Sequence, residues 1–271
     1  MSSPLKKGMR PNYPVASLNR PRGFPRMQSI IASLASRHGL SRAEVLLEVE
    51  SVFCALLSRW YRREVQVHFR QDLGLEAVAY VRVNGIVHQR VIDLPAMLGR
   101  ARISNFLERR LETAGVCQLV RRYKPCEHNL LWGEIVGSDA EGNLRVATEI
   151  LPGEPVLAIC PLNRIGVHER CTSGFQVGQR RAFHLRRVEA MERNGIARVQ
   201  VVLDRVAKTL VETLLREHLG AEAGRIRCHC LKRFVGHRSL VVTNRRLPKG
   251  AILSVDRELC ERVEVRILRQ P

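Results

Sequence analysis

The sequence predicts an α+β protein built from several small domains. Three observations lead to this prediction: amphipathic helical segments and a few alternating segments open the chain, five alternating segments fill its middle, and a helix, a hairpin, a second helix and a strand close it. The 271 residues and the 45% apolar content are enough for a core in each domain. We predict a flexible basic arm over 1–26, an N-terminal α+β domain over 27–127, a barrel over 128–205 and a C-terminal domain over 206–271.

The arm over residues 1–26 contains six basic residues, five prolines and no acidic residue, a composition that cannot form a core. An acid-poor, arginine-containing segment also fits a transit peptide, although the prolines would interrupt the amphipathic helix that such a signal needs. A third interpretation is that Met27 is the true start of the protein. The sequence leaves these three interpretations open.

Two helices are predicted at the start of the first domain. The first covers 27–37 and ends near Gly39. The second follows a capping box formed by Ser41 and Glu44 and runs to about Tyr61. Its predicted buried stripe consists of Val45, Val49, Val52, Leu56 and Trp60.

A small antiparallel sheet and a third helix complete the predicted first domain. The segment "EVQVHFR" alternates as a strand, and "LEAVAYVRVNGIVHQRVIDL" gives two more strands around the turn Asn84-Gly85. A further helix is predicted over about 95–113. Its apolar residues are Met97, Ile103, Leu107 and Leu111.

The middle of the chain has the pattern of a small barrel. Five alternating segments, "LLWGEIVGS", "NLRVAT", "EPVLAIC", "QRRAFHLRRVEAM" and "ARVQVVLDR", are separated by turns such as "AEGN" and "LPGE". Five strands of this length are typical of an OB-type barrel, a fold that binds oligonucleotides on one face.

The last strand of the barrel continues into a helix without a glycine or proline between them. In "RVQVVLDRVAKTLVETLLREHLG" the apolar period changes from two to about 3.6 near Asp204. We expect Asp204 to cap the helix and Gly220 to end it. A join of this kind predicts a rigid connection between the barrel and the C-terminal domain.

The C-terminal domain is predicted to follow the order of a small KH-like domain. After the linking helix, "GRIRCHCLKRFVGHRSLVVTNR" forms a hairpin, and "GAILSVDRELCERVEVRIL" forms a short helix and a final strand. A functional KH domain needs a Gly-x-x-Gly loop that contacts the RNA backbone, but this region contains only Lys249-Gly250. We therefore predict a truncated or degenerate KH-like domain.

The charge of the chain indicates a polyanionic partner. There are 45 Lys+Arg against 26 Asp+Glu, which gives a formal charge of +19 and disfavours an ordinary metabolic enzyme. No apolar run is long enough to span a membrane, so we set membrane partners aside. The eight cysteines have no framework spacing, and we interpret them as reduced thiols of a cytoplasmic protein.

Basic and aromatic residues on the barrel and the C-terminal domain are the candidate RNA-binding groups. Single-stranded nucleic acid is bound by stacking on aromatic rings and by cations along its backbone. With 5% aromatic residues, electrostatic contacts should dominate, which predicts steep salt dependence. The competing interpretation is a solvated sheet edge kept soluble by charge. The candidates are Arg145, Arg164, His168, Arg170, Phe175, His184, Arg186, Arg187, Lys232, Arg233, Arg238, Arg245 and Arg246.

The sequence predicts neither a catalytic centre nor a cofactor. It has no phosphate-binding loop, nucleophile elbow or His-Glu-x-x-His motif, and no carboxylate cluster of the kind that a nucleic-acid-processing enzyme requires. Two groups could supply zinc ligands, but their spacing favours thiols that fill a core, so we predict no metal site. These groups are Cys117, Cys126 and His128, and Cys228, His229 and Cys230.

Three segments together resemble the family of the bacterial transcription elongation factor NusA. They are "GLSRAEVLLEVESVFCALLSRWYRREVQV", "EHNLLWGEIVGSD" with "FQVGQRRAFHLRRVE", and "VVLDRVAKTLVETLLREHLGAEAGRIRCHCLKRFVGHRSLVVTN". They occur in the order of that family, in which a polymerase-binding domain precedes an RNA-binding barrel of the ribosomal S-one type and then KH domains. The resemblance covers Met27 to about Leu268.

The resemblance implies a non-catalytic factor that binds RNA and RNA polymerase and modulates pausing, termination or antitermination. The stretch "MLGRARISNFLERRLE" is basic where the family is usually acidic, and no second KH domain follows. We interpret the chain as a divergent, shortened paralogue. The alternative is a general nucleic-acid-binding module that acts on DNA or ribosomal RNA without a polymerase partner.

Overall fold

The computed structural model describes residues 24–71, 73–83, 86–92, 100–170 and 175–268. The predicted α+β class is confirmed. The chain divides into two compact units, one formed by residues up to 118 with 194–197, the other by 119–193 with 198 onwards. The second unit contains both the predicted barrel and the predicted C-terminal domain. Most of the predicted arm, residues 1–23, lies outside the described residues.

The helices of the first unit begin and end near the predicted residues, with two differences. They are α1 (Phe24–His38), α2 (Arg42–Tyr61) and α3 (Arg100–Tyr123), although residues 119–123 of α3 belong to the second unit. The capping box is confirmed, since the Ser41 hydroxyl accepts from the Glu44 amide at 3.2 Å and the Glu44 carboxylate accepts from the Ser41 amide at 2.8 Å. Helix α1 begins earlier than predicted, and α3 continues well past residue 113. The predicted start of α3 at 95–99 lies outside the described residues.

The core of the three helices requires a close approach at Gly115. A Cβ atom at this position of α3 would lie 2.5 Å from the carbonyl oxygen of His38, at the end of α1. The same core buries Ile31, Val45 and Leu111. The predicted stripe of α2 is wrong at its end, because Leu57 is buried while Trp60 is exposed.

A three-stranded antiparallel sheet completes the first unit. Its strands are β1 (Val65–Phe69), β2 (Leu75–Val83) and β3 (Ile86–Ile92), paired in that order. Helix α2 packs on one face through Leu57, beside Val65 and Ala77. The predicted turn Asn84-Gly85 lies outside the described residues. The opposite face of the sheet exposes Val87 and Val91 of β3.

The five predicted strands of the middle segment are confirmed and form one sheet that closes into a barrel. They are β4 (Leu130–Ser138), β5 (Leu144–Leu151), β6 (Glu154–Cys160), β7 (Arg180–Arg193) and β8 (Ile196–Asp204), in the order β4-β5-β6-β8-β7. Strand β4 pairs with both β5 and β7, which closes the sheet. Alternate residues of the strands point inward and bury Ile135, Val146, Phe183 and Leu203. A short helix, α4 (Val167–Arg170), lies between β6 and β7.

The chain from α5 to β11, here called the C-terminal module, has the predicted order of elements. It consists of α5 (Lys208–Leu219), β9 (Cys228–Phe234), β10 (Arg238–Thr243), α6 (Lys249–Leu259) and β11 (Arg262–Ile267). Strand β10 is central, antiparallel to β9 and parallel to β11. The two helices cover one face of the sheet and bury Leu214 and Val255 with Cys230 and Val241.

The C-terminal module shares its core with the barrel. Ala182 of β7 is fully buried among the residues of α5 and the sheet of the module. Trp132 of β4 packs against the same core, and its indole N–H donates to Glu217 of α5 at 2.9 Å. Apolar packing across the join therefore holds the two parts together. Within the described ranges, no helix combines the length and the apolarity needed to cross a membrane.

Candidate nucleic-acid interface

A buried arginine joins the barrel to the C-terminal module. Arg205, directly after β8, is 1% exposed and donates to the carbonyl oxygen of Ala182 at 2.6 Å and to the carboxylate of Glu258 in α6 at 2.6 Å. It also pairs with Glu169 of α4. Burial acts to lower the pKa of the guanidinium, but the two carboxylates hold the pKa above its usual value. Charged side chains from α4, α6 and the segment after β8 thus meet inside one unit.

The prediction that Asp204, beside this arginine, caps the helix is wrong. Its carboxylate accepts from the amides of Val206 and Ala207 at 2.7 and 3.1 Å, whereas α5 begins only at Lys208. The side chain closes the turn between strand and helix, because an aspartate readily bonds the backbone two residues further on. The predicted helix end at Gly220 is confirmed.

A second buried ion pair fixes the hairpin of the C-terminal module. Arg233 of β9, 1% exposed at its side chain, pairs with Glu261 at 2.8 Å. Glu261 also accepts from the amide of Gly236 and the hydroxyl of Ser239, both at 3.0 Å. Burial raises the pKa of Glu261, but the hydrogen bonds from Arg233, Gly236 and Ser239 outweigh it and hold the pKa below its usual value. The prediction that Arg233 faces RNA is therefore corrected, because its guanidinium is internal.

A β-bulge explains why Arg233 points inward. Leu240 pairs with Lys232 and Val241 pairs with Cys230, so Leu231 is an extra residue in β9. Strict alternation from the buried Cys228 and Cys230 would place Phe234 inside. The bulge reverses the alternation after Leu231, so that Arg233 enters the core and Phe234 faces solvent.

Phe234 and two cations form an exposed cluster on the face of the sheet away from the helices. Phe234 is 42% exposed. The ammonium nitrogen of Lys232 lies 4.7 Å from the ring centroid, and the guanidinium carbon of Arg238 lies 5.6 Å from it. Arg238 is also 3.6 Å from Glu264 of β11. This arrangement can offer both an aromatic ring and positive charge to one ligand.

Three further predicted arginines are exposed. Arg245 and Arg246 follow β10, where the Thr243 hydroxyl donates to the carbonyl oxygen of Arg245 at 2.7 Å and holds the turn. Arg145 is exposed on β5 of the barrel. Exposed guanidinium groups of this kind suit phosphate contacts.

The other predicted basic residues of the barrel are engaged in contacts within the protein. Arg186 and Arg164 lie 3.0 and 3.9 Å from the carboxylate of Asp204. Arg187 pairs with Glu189 at 3.1 Å. Arg170 donates to the carbonyl oxygens of Leu162 and Ile165, at 2.6 and 3.0 Å from Nη2. These contacts use N–H donors and positive charge that each guanidinium would otherwise offer to a ligand.

Three predicted side chains lie against the interior instead of the surface. His184 is buried, neither ring nitrogen has a hydrogen-bond partner among the described residues, and burial lowers the pKa of the imidazole. The Nε2 atom of His168 is 3.1 Å from the carbonyl oxygen of Leu259. Phe175 packs on the barrel core, with the guanidinium of Arg205 5.5 Å from its ring. We remove His168, His184 and Phe175 from the predicted interface.

Sequence reasoning missed both Arg205 and Phe234. The charged pair Asp204-Arg205 after the apolar run "VVL" was the available signal for a buried ion pair. No sequence signal marks the bulge that exposes Phe234. Phe183, in β7 of the barrel, is fully buried.

The cysteines of the described chain do not form a metal site. No group of three cysteine, histidine or carboxylate side chains within the described ranges is placed to hold a metal ion. Cys228 and Cys230 belong to the core of the C-terminal module, and burial raises the pKa of both thiols. Cys171 lies outside the described residues.

Comparison with models of known protein families finds no match to this chain, and comparison with curated proteins finds none either.

Proposed function

We propose that this chain is a non-catalytic NusA-like transcription factor that binds RNA and RNA polymerase and modulates pausing, termination or antitermination. In this proposal the barrel is an OB-type barrel of the ribosomal S-one kind, and the C-terminal module is a truncated KH-like domain. The observation that carries the proposal is the fusion of barrel and module through Arg205, Glu169 and Glu258. A rigid pair of nucleic-acid-binding folds can hold one RNA strand along a continuous surface.

The charge of the second unit supports RNA as the ligand. Exposed cations occur on the barrel at Arg145 and on the C-terminal module at Lys232, Arg238, Arg245 and Arg246. Arginine pairs with phosphate through two donors and stacks on bases, so an arginine-rich surface favours direct contact with nucleic acid. The formal charge of +19 adds long-range attraction for a polyanion.

The outer face of the sheet in the first unit supports a protein partner. The register places Val87 opposite Arg82, Gln89 opposite Tyr80 and Val91 opposite Val78, so Val87 and Val91 share the face turned away from α2. Both valines are more than half exposed. Exposed apolar side chains grouped on one face are typical of a protein-binding surface. In this proposal the surface binds RNA polymerase.

The experiment that tests the proposal uses the full chain, tagged and incubated with bacterial extract after nuclease treatment. Recovery of RNA polymerase by the wild-type protein, weakened by Val87→Glu, is expected. His88→Glu is the matched control, because it introduces the same side chain on the neighbouring, opposite-facing position of β3. The purified protein should also change the terminated fraction in transcription through an RNA hairpin terminator.

Two results would contradict the proposal. RNA binding by the purified chain without recovery of polymerase would instead indicate a general nucleic-acid-binding module. Absence of RNA binding at low salt would overturn the RNA-binding part as well, since electrostatic attraction is strongest under those conditions.

A further inference from the structure

The outer face of the sheet in the C-terminal module combines an aromatic ring with an excess of cations. Cross-strand register places Phe234, Arg238 and Arg262 in one row across β9, β10 and β11. Lys232, Leu240 and Glu264 form the adjacent row on the same face. Arg266, two residues after Glu264, also belongs to this face. We call these seven residues the outer sheet face.

The charge of the outer sheet face is asymmetric. It carries the cations Lys232, Arg238, Arg262 and Arg266, all of them exposed. The only carboxylate in the sequences of the three strands is Glu264. The net charge of this surface is positive, so it attracts anions. It suits a ligand with regularly spaced negative charges.

On the basis of the proposed RNA-binding function, we propose that the outer sheet face binds single-stranded RNA, with one base stacked on Phe234 and the flanking phosphates held by Lys232, Arg238 and Arg262. Stacking on an aromatic ring requires an unpaired base, because the faces of paired bases are covered in a duplex. Lys232 and Arg238 are long, exposed side chains held at the ring by weak cation–π contacts, so they can turn toward phosphates when a base arrives.

The opposite side of the module lacks the loop that KH domains use. Helix α6 begins at Lys249, directly after Pro248, and the segment contains no Gly-x-x-Gly sequence. Two glycines in such a loop allow the protein backbone to approach RNA closely, and this segment does not have them. The aromatic ring and the cations lie instead on the helix-free side of the sheet, and RNA bound there would contact β9, β10 and β11.

The test measures binding of labelled single-stranded oligoadenylate, and of an RNA duplex of equal length, by fluorescence anisotropy of the full chain. Phe234→Leu removes the ring but keeps an apolar side chain, and we expect about tenfold weaker binding of the single strand. The salt dependence should be unchanged because no charge is lost. Phe234→Trp should retain binding, since it preserves an aromatic face. Phe106→Leu is the matched control, because Phe106 is an equally exposed phenylalanine in α3 of the chain.

The possible results distinguish RNA binding at the outer sheet face from RNA binding elsewhere on the chain. If the wild-type protein binds oligoadenylate and Phe234→Leu binds it equally well, the outer sheet face is not the stacking site, while the proposed RNA-binding function stands. Equal losses for single strand and duplex would also overturn base stacking. If the wild-type protein binds no RNA, both proposals fail. Unchanged thermal unfolding of Phe234→Leu, measured by circular dichroism, excludes misfolding as the cause of a loss.

Discussion

The guanidinium of Arg205 lies 2.6 Å from the carboxylate of Glu258, and the two side chains are 1% and 11% exposed. Arg205 follows the last strand of the barrel, whereas Glu258 belongs to α6 of the C-terminal module. Burying a guanidinium costs free energy unless each of its N–H donors has an acceptor. The remaining acceptors are the carboxylate of Glu169 and two backbone carbonyl oxygens. Any rotation of the module against the barrel would break this set of contacts, which explains how the short turn between β8 and α5 stays in one geometry.

The first prediction concerns the loss of this buried cation. Arg205→Met should lower the free energy of unfolding of the second unit by about 3–5 kcal/mol, because Glu169 and Glu258 would lose the buried guanidinium that they share. The measurement is urea unfolding of the full chain in a Trp60→Phe background, so that Trp132 of β4 reports on this unit.

Two companion variants isolate the cause. Arg257→Ala removes an exposed arginine of α6 and should change stability by less than about 0.5 kcal/mol. Adding Glu169→Leu and Glu258→Gln to Arg205→Met should recover most of the loss, since both buried carboxylates are then removed while the glutamine still accepts from the Ala182 amide. A triple variant as unstable as Arg205→Met would show that packing at this site, and not the unpaired charge, determines stability.

The second prediction is a pH dependence that originates at Glu261. Its folded pKa lies below the usual value of 4.5, so its ion pair stabilises the fold fully above pH 4.5, and this contribution is lost as pH falls through the folded pKa. Glu261→Gln should cost about 3–5 kcal/mol at pH 7, where it leaves Arg233 unpaired. The difference between wild type and variant should shrink below pH 4.5. Urea midpoints measured from pH 7 downward test this, with the exposed Glu222→Gln as control. A difference that stays constant with pH would contradict the assignment.

The regular elements were predictable because their signals are local. The capping box of Ser41 and Glu44 and the alternation of the five barrel strands depend on residues a few positions apart, and both are confirmed. The partners of Arg205, by contrast, lie 36 and 53 residues away along the chain. No periodicity in the sequence connects these positions, so the buried ion set could be found only in the folded chain.

The candidate interface was predictable in composition but not in detail. Exposure of Arg245 and Arg246 follows from their place after a strand. The opposite orientations of Arg233 and Phe234 depend on the one-residue bulge at Leu231, which reverses every later side chain of β9. The prediction that Asp204 caps α5 was wrong because the carboxylate accepts from an amide in the turn before the helix.

The third prediction tests the close approach in the first unit. Gly115→Ala should destabilise this unit by about 1–3 kcal/mol, because the added Cβ would overlap the carbonyl oxygen of His38. Alanine favours an isolated helix over glycine by about 1 kcal/mol, so a net loss shows that the contact outweighs helix propensity. Unfolding followed by Trp60 in a Trp132→Phe background measures the effect. Arg109→Ala, at an exposed position of α3, is the control. A stabilised Gly115→Ala protein would contradict the close approach.

The fourth prediction concerns the salt dependence of the proposed RNA binding. Arg245 and Arg246 are exposed directly after β10, so both guanidinium groups can reach phosphates of a strand bound to the C-terminal module. Each phosphate contact on single-stranded nucleic acid contributes about 0.7 to the slope of log K against log salt concentration. The double variant Arg245→Ala/Arg246→Ala should therefore reduce the slope by about 1.4 and weaken binding similarly for different sequences. Arg257→Ala, which removes one charge from the helix side of the module, should leave the slope unchanged. If Arg257→Ala reduced the slope as much per charge as the double variant, the attraction would come from net charge alone, and these two arginines would not contact phosphate directly.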